Sequence, residues 1–561
     1  MTSHDVLIVE CPNTRCNGCR YFSAPICGKL ESLRDTSNHQ AKAVLLETEK
    51  NLVHLGRHNM GRPLEPPWHA EGWESVYIGE NESDLRNVVD AYVVGPYLAV
   101  FYLQGKNQIM YRSYPLVRTS LEYALLDELS DKTGDLANSY SDFRVSISER
   151  ISATSSRVSS SITESLPEII ESTKKRISDV VAHRMTVLGL FFSLLLDDEV
   201  EEVFLDRPGA VLYFDHQRFG RCHSNFTLTD NMVSRLVTLM RAESNLHLDR
   251  ANPSLKTDMR IAGTLLRFSA CVPPLSPDGL HLEIRRARSS PYTILDLILN
   301  GTLTVGAAAT LLAAIAGRFN ITITGGSGSG KTTLLNALDM VTPTTWRKIY
   351  IEDAVESRLV EGHHQIRIKV DPVDEKSRQS EKSIEIVKSL HRSPDYLILG
   401  EIQTAEHSQA LFQAVAAGLR TIQTCHSDSA ASLMSRWTIG HKVDSSSIAL
   451  MDVIVTLDRP VPGQSRRHVK EIVEVRRDID HRGVVFVGLN KVFDLRSSGT
   501  EVREWAKDGA FRLRAQTVSC KDYIQVFERA TDGLRFALEE DSIDSVTSLV
   551  EELWCDEHYI V

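Results

Sequence analysis

Ile321-Thr322-Ile323-Thr324-Gly325-Gly326-Ser327-Gly328-Ser329-Gly330-Lys331-Thr332-Thr333-Leu334-Leu335 decides how the rest of the chain is read. A β-branched strand runs into G-x4-G-K-T, and an apolar helical pattern follows. Glycines let the backbone curl so that successive N–H groups face phosphate oxygens. A helix N-terminus at the end of the loop adds favourable partial positive charge. Lys331 can reach the β- and γ-phosphates, and the Thr332 hydroxyl can bind magnesium. The stretch 325–333 is therefore expected to bind ATP with Mg2+.

A phosphate cradle alone hydrolyses nothing. Phosphoryl transfer also needs a metal-side carboxylate and a residue that positions water. Two apolar runs downstream end in carboxylates. Ile349-Tyr350-Ile351 leads into Glu352-Asp353, with Glu356 nearby. Tyr396-Leu397-Ile398-Leu399-Gly400 leads into Glu401, the shape of a Walker B element. Both carboxylates fall where parallel strands end and such sites open. A third run, Thr421-Ile422-Gln423-Thr424-Cys425, carries His426 and Ser427 at its end. A lone histidine is more often structural, but this placement makes His426 a candidate γ-phosphate sensor.

Outside this core the chain offers length and little charge. Its 561 residues allow three or four domains. Charged residues at 24% and hydrophobic residues at 42% exclude wholesale disorder, a collagen-like repeat and a small disulfide scaffold. The net charge of −11 argues against broad binding of nucleic acid. The apolar runs 187–196 and 305–317 are shorter than the roughly 20 residues a bilayer span needs. Residues 1–10 lack a secretory pattern, so a cytosolic protein is expected, with cysteines as thiols or metal ligands. Cys11, Cys16, Cys19 and Cys27 have the spacing C-x4-C-x2-C-x7-C on turn-rich sequence and could converge on zinc or an iron–sulfur cluster.

The coarse pattern between these landmarks is mixed. Residues 61–73 read as an extended linker and 88–102 as strands. From 121 to 184 the pattern is helical, serine-rich and broken at Pro167. Residues 200–219 read as a small α/β unit with a hairpin across Arg207-Pro208-Gly209. Residues 230–242 read as an amphipathic helix, 259–271 and 280–286 as one strand each, and 291–318 as helical.

Taken in order, the motifs resemble the secretion ATPase superfamily that drives type II and type IV secretion and type IV pilus assembly. The resemblance runs over roughly 181–480. Gly325–Thr332 is similar to the Walker A box, and Ile351-Glu352-Asp353-Ala354-Val355-Glu356 to the aspartate box. Leu390-His391-Arg392-Ser393-Pro394-Asp395 and Gly400-Glu401-Ile402 are similar to the Walker B region, and Thr424-Cys425-His426-Ser427 to the histidine box. The resemblance implies that Glu352 orients or activates water. It implies that Glu401 and Thr332 hold magnesium, and that His426 senses the γ-phosphate. It also implies arginines from the preceding domain, with Arg267 and Arg285 the matching positions and Arg260 a weaker one. Gln403 departs from the pattern, because the family commonly has arginine there. The stretch 449–475 resembles the family's archaeal branch.

The expected fold class is α/β, with a RecA-like P-loop motor domain preceded by a smaller α/β domain and an N-terminal helical, Cys-containing extension. The expected boundaries are 1–60 (Cys-rich), 61–130 (linker and small α/β segment), 131–196 (helical), 197–290 (arginine-supplying α/β domain), 291–480 (ATPase domain) and 481–561 (C-terminal α/β extension). The resemblance further implies a cytoplasmic homo-hexamer docked peripherally on a polytopic membrane platform that handles pilin-like or secreted substrates. Pilus, archaellum-like and secretion roles stay open. A non-hydrolysing, nucleotide-dependent scaffold and a DNA translocase are the alternatives.

Overall fold

The computed structural model describes residues 9–10, 40–47, 52–59, 73–78, 88–105, 108–116, 125–126, 128–130, 145–165 and 169–553. The last span excludes 289, 354, 371–374, 462, 465, 482, 496–505, 507 and 518–522. Cys11, Cys16, Cys19 and Cys27 lie outside the described residues. The chain divides into two units, residues 1–289 with 463–465, and residues 290–462 with 466–561.

The first unit opens with β1 (Val9–Glu10), β2 (Gln40–Glu47), β3 (Leu52–Asn59) and β4 (Trp73–Ile78), a small sheet in the order β1-β3-β2-β4. A second sheet takes β5 (Val88–Val94), β6 (Tyr97–Gln104), β7 (Gln108–Pro115), β8 (Val200–Leu205), β9 (Val211–His216), β10 (Gly220–Thr227), β11 (Ser254–Ile261), β12 (Thr264–Cys271) and β13 (His281–Arg286). Its order is β11-β12-β13-β8-β9-β10-β7-β6-β5, antiparallel except where β10 meets β7. The strands read at 88–102 thus extend the sheet of the arginine-bearing segment.

Helix α1 (Ile147–Ser165) and α2 (Glu171–Arg184) flank the proline break and pair through Val158, Ile162, Ile177, Val180 and Val181. Short α3 (Phe192–Leu196) and the amphipathic α4 (Asp230–Ser244) follow in this unit. Two expectations change here. Residues 200–219 hold strands and turns only, with no helix. The single strand expected over 259–271 is a hairpin, turned at Ala262 (φ +50°) and Gly263 (φ +83°). Glycine enters that left-handed region at little cost, so Gly263 explains the turn.

The second unit is a sandwich about one sheet. Its strands are β14 (Ile321–Gly325), β15 (Arg347–Glu352), β16 (His364–Lys369), β17 (Tyr396–Ile402), β18 (Thr421–Cys425), β19 (Val453–Asp458), β20 (His468–Asp480) and β21 (Gly483–Asp494). The order is β16-β15-β17-β18-β14-β19-β20-β21, parallel from β16 to β19 and antiparallel beyond. Alternate residues of β17 enter two different cores, Tyr396 and Ile398 in one and Leu397 and Leu399 in the other. A strand buried on both faces must be apolar throughout, which is why these segments read as unbroken hydrophobic runs.

On the first face lie α5 (Ile294–Leu299), α6 (Val305–Ala316) and α7 (Lys331–Met340), with Thr293 and Thr304 capping the first two. On the second lie α8 (Glu375–Lys388), α9 (Ala405–Ala416), α10 (Ala430–Ser435) and α11 (Ser445–Ile448). The C-terminal stretch supplies α12 (Ala510–Thr517), α13 (Tyr523–Glu540) and α14 (Ile543–Glu552). Val526, Ala530, Leu534 and Ala537 of α13 join the core that holds α6. Helix α6 is thereby covered all round, which accounts for its apolar sequence. The boundary expected at 480 falls at the tip of the β20–β21 hairpin, and both strands belong to this sheet. Among the described residues no helix is long and apolar enough to cross a membrane.

Candidate active site

The phosphate loop joins β14 to α7 and is shaped by its glycines. Gly325 (φ +154°), Gly328 (φ +67°) and Gly330 (φ +93°) take backbone conformations that other residues rarely adopt. A Cβ on Gly325 would stand 2.6 Å from the Leu457 carbonyl and 2.5 Å from Ser329 Oγ, so no side chain fits. A Cβ on Gly326 would meet nothing within 4 Å, so that side of the loop is open to a ligand. Arg467 Nε donates to the Gly328 carbonyl at 2.7 Å and steadies the loop from the start of β20.

Lys331 is buried and folded back on the loop. Its Nζ donates to the Gly325 carbonyl at 3.1 Å and the Gly326 carbonyl at 2.8 Å. The same ammonium lies 3.3 Å from His426 Nδ1. An ammonium can only donate, so Nδ1 accepts and Nε2 carries the ring proton. That Nε2 faces a carboxylate oxygen of Glu401. Lys331, His426 and Glu401 thus form one polar chain across the ends of β14, β18 and β17. Thr324 Oγ1 donates to the Ser427 carbonyl at 3.0 Å and ties β14 to the histidine loop. Burial pushes the neighbouring Cys425 thiol up to about 12, so it stays protonated.

Glu352 ends β15, 6% exposed, and is gripped by the loop that follows. The Ser357 N–H reaches its Oε1 at 2.8 Å, the Glu356 N–H the same oxygen at 3.1 Å, and the Ser357 hydroxyl Oε2 at 2.6 Å. Burial raises its pKa above the usual carboxylate range, and the Ser357 hydrogen bonds oppose that rise. A Cβ on Gly400 would lie 3.4 Å from Glu352 Cα, so the missing side chain lets β17 run close to β15.

Gln403 takes the place where the resemblance led to arginine. Its Nε2 donates to Glu401 Oε2 at 2.6 Å. The Gln403 carbonyl accepts from Arg436 Nη2 at 2.6 Å, and Arg436 Nη1 donates to the His426 carbonyl at 2.6 Å. One guanidinium therefore bridges the main chain of both loops. Arg436 begins the π-helical turn Arg436–Gly440, a distortion frequent at functional sites.

The arginines stand on the first unit. Arg267 of β12 lies opposite Arg285 of β13 in register, on the sheet face away from Leu266, Phe268 and Ile284. Arg267 Nε pairs with Asp258 Oδ1 at 3.1 Å, and Arg285 Nε lies 3.7 Å from Glu202 Oε1. Arg260 is exposed on β11, opposite Leu265. Arg286 points the other way. It is buried, donates to the carbonyls of Leu195 at 3.1 Å and Leu196 at 3.4 Å, and pairs with Asp198.

Sequence reasoning missed Ser357, Arg436 and the buried Lys382. The first two act largely through main-chain partners or a single hydroxyl. Lys382 sits in a polar helical stretch that reads as solvated. Among the described residues no group of three or more His, Cys, Asp or Glu side chains is placed to hold a metal ion.

A family model described as type II/IV secretion system protein matches residues 201–481. An uncharacterized protein of Methanocaldococcus jannaschii is 31% identical over 226 residues, covering 39% of this chain and 31% of that protein. The probable conjugal transfer protein TrbB of Sinorhizobium fredii is 28% identical over 304 residues, covering 52% of this chain and 88% of that protein. Among solved structures, the VirB11 ATPase from the Brucella suis type IV secretion system is 21% identical, covers 52% of this chain and 95% of its own, and has a TM-score of 0.26. The chain thus spans less than a third of the archaeal relative's length.

Proposed function

The chain belongs to the type II/IV secretion system protein family, and on that premise we propose that it is a hexameric ATP hydrolase. The work of hydrolysis powers assembly of a type IV pilus-like filament or protein secretion through a polytopic membrane platform. The observation that carries this reading is the polar chain Lys331–His426–Glu401 beside an open phosphate loop.

The triphosphate lies along the N–H groups of 325–333, with the Ser327, Ser329 and Thr333 hydroxyls adding polar edges. Lys331 leaves the Gly325 and Gly326 carbonyls for the phosphate oxygens, a stronger, charge-assisted partner. That exchange takes the ammonium from His426 Nδ1, so His426 registers the γ-phosphate. Thr332 and Glu401 would hold Mg2+, since a hydroxyl and a carboxylate are the hard oxygen donors it prefers. When bound, the ion would supply charge neutralisation to the phosphates. Glu352 orients the attacking water, and Arg267 and Arg285 stabilise charge on the transferring group. The residues before Val181, the Cys-rich segment and the helical stretch 121–184 among them, choose the docking partner, and pilin-like or secreted substrates are handled indirectly.

Phosphate release by the purified full chain tests this. Wild type should turn over ATP, and Lys331→Ala and Glu352→Gln should not. Equal, background-level release by all three would leave the non-hydrolysing scaffold, the reading that Gln403 favours. Stimulation of turnover by DNA would instead support a translocase.

A further inference from the structure

Strands β15 and β17 end side by side, one in Glu352-Asp353 and the other at Glu401. Between these ends lies the ammonium of Lys382, 0% exposed. Its Nζ donates to Asp353 Oδ2 at 2.5 Å and to the Glu401 carbonyl at 2.7 Å. The lysine arrives from α8, where Ile386, four residues on, is buried in the core that also takes Ile351 and Leu399. A buried ammonium is stable only when paired. Both of these partners belong to the strand ends, so the pairing fixes one end against the other.

Two neighbours sharpen the point. His407 of α9 is 4% exposed, and neither ring nitrogen has a hydrogen-bond partner among the described residues. Burial first, and the Lys382 charge second, push its pKa down to about 4, so it is neutral at ordinary pH. Gln403 carries no charge. The positive charge that pairs with Asp353 and the Glu401 carbonyl is that of Lys382.

We propose that Lys382, acting through Asp353 and the Glu401 main chain, is a positioning residue that sets the separation of the Glu352 and Glu401 carboxylates. The inference rests on the ATPase reading above. A misplacement of about 1 Å at reacting groups can cost on the order of a hundredfold in rate, so a clamp on both carboxylate strands acts on turnover more than on nucleotide affinity.

The test uses the full chain and the variants Lys382→Met, Asp353→Asn and the double variant. ATP hydrolysis is measured beside binding of a fluorescent ATP analogue and a thermal melt. Asp353→Asn keeps the fold, binds nucleotide within about twofold of wild type and loses about tenfold in kcat. The double variant is no slower than Lys382→Met alone, because the two residues act as one unit. If Lys382→Met fails to fold, Asp353→Asn alone decides. Wild-type kcat in a folded Asp353→Asn overturns the proposal. So does a loss of kcat that merely follows the loss of folded protein, with binding falling in step. Absence of turnover in wild type overturns the ATPase reading itself and is distinct from both.

Discussion

Ser357 holds both oxygens of Glu352, its N–H at 2.8 Å from Oε1 and its hydroxyl at 2.6 Å from Oε2. Burial and hydrogen bonding pull the Glu352 pKa in opposite directions, and burial is the larger. A carboxylate that orients water must be ionised, so a raised pKa places the acid limb of activity above the usual carboxylate range. Ser357→Ala removes the hydroxyl and keeps the N–H. Its acid limb should move to still higher pH. A hydrogen bond to a charged group is worth about 1.5–3 kcal/mol, so activity on the acid limb should fall about tenfold while the alkaline plateau stays within about threefold. A pH–kcat profile of both proteins checks this, and an unmoved acid limb would remove Glu352 from the water-orienting role.

Lys331 has two sets of partners open to it. In the structure it rests on two loop carbonyls and His426. Lys331→Met preserves the stem and removes the charge. Loss of one electrostatic stabiliser of developing charge costs about 10²–10³-fold in kcat, so hydrolysis should drop by that order while the protein melts normally. Stopped-time phosphate release and a thermal melt on the same sample separate the two effects.

What was legible in the sequence follows from what each residue must do. The phosphate loop announced itself because its backbone path runs through conformations at Gly325, Gly328 and Gly330 that residues other than glycine rarely take. Strand β17 was legible because both of its faces are buried. The hairpin within 254–271 was missed because Ala262 carries no turn signal and Gly263 alone was passed over. Arg285 and Arg286 look alike in sequence, yet one projects outward and the other donates to buried carbonyls. Lys382 and Arg436 could not be read at all. Their partners include main-chain oxygens of distant residues, which leave no mark on spacing or composition.

Arg436 donates one nitrogen to the Gln403 carbonyl and another to the His426 carbonyl, each at 2.6 Å. The guanidinium fork matches two acceptors at once, and a lysine ammonium does not reproduce that geometry. Arg436→Lys keeps the charge and loses the bridge between the Walker B end and the histidine loop. One charge-assisted hydrogen bond lost corresponds to about 1.5–3 kcal/mol, so kcat should fall at least about tenfold. Nucleotide affinity should change little, because no phosphate-loop contact is removed. Parallel measurement of kcat and the dissociation constant of an ATP analogue checks the split. Wild-type kcat in the Arg436→Lys protein would mean that the two loops are held by other contacts.

Glu474 on β20 is fully buried and anchors the segment leading into α12. Its Oε1 accepts from the Ala506 N–H at 2.6 Å and Asn490 Nδ2 at 2.7 Å, and its Oε2 from the Phe511 N–H at 3.5 Å. Burial nevertheless raises its pKa above the ordinary value, because desolvation outweighs these donors. The folded state therefore binds this proton more tightly than the unfolded chain. Stability from this group is complete below the unfolded-chain pKa of 4.5 and is lost as pH rises through the higher folded value. Glu474→Gln cannot titrate and retains an acceptor oxygen for the two shortest bonds. Its urea midpoint should fall less steeply than that of wild type as pH rises upward from 4.5. Glu474→Ala leaves the buried donors unpaired and should cost about 2–4 kcal/mol at neutral pH. Urea titrations at a series of pH values, read by tryptophan fluorescence, give both quantities, and parallel pH slopes for wild type and Glu474→Gln would show that this carboxyl is not the titrating group.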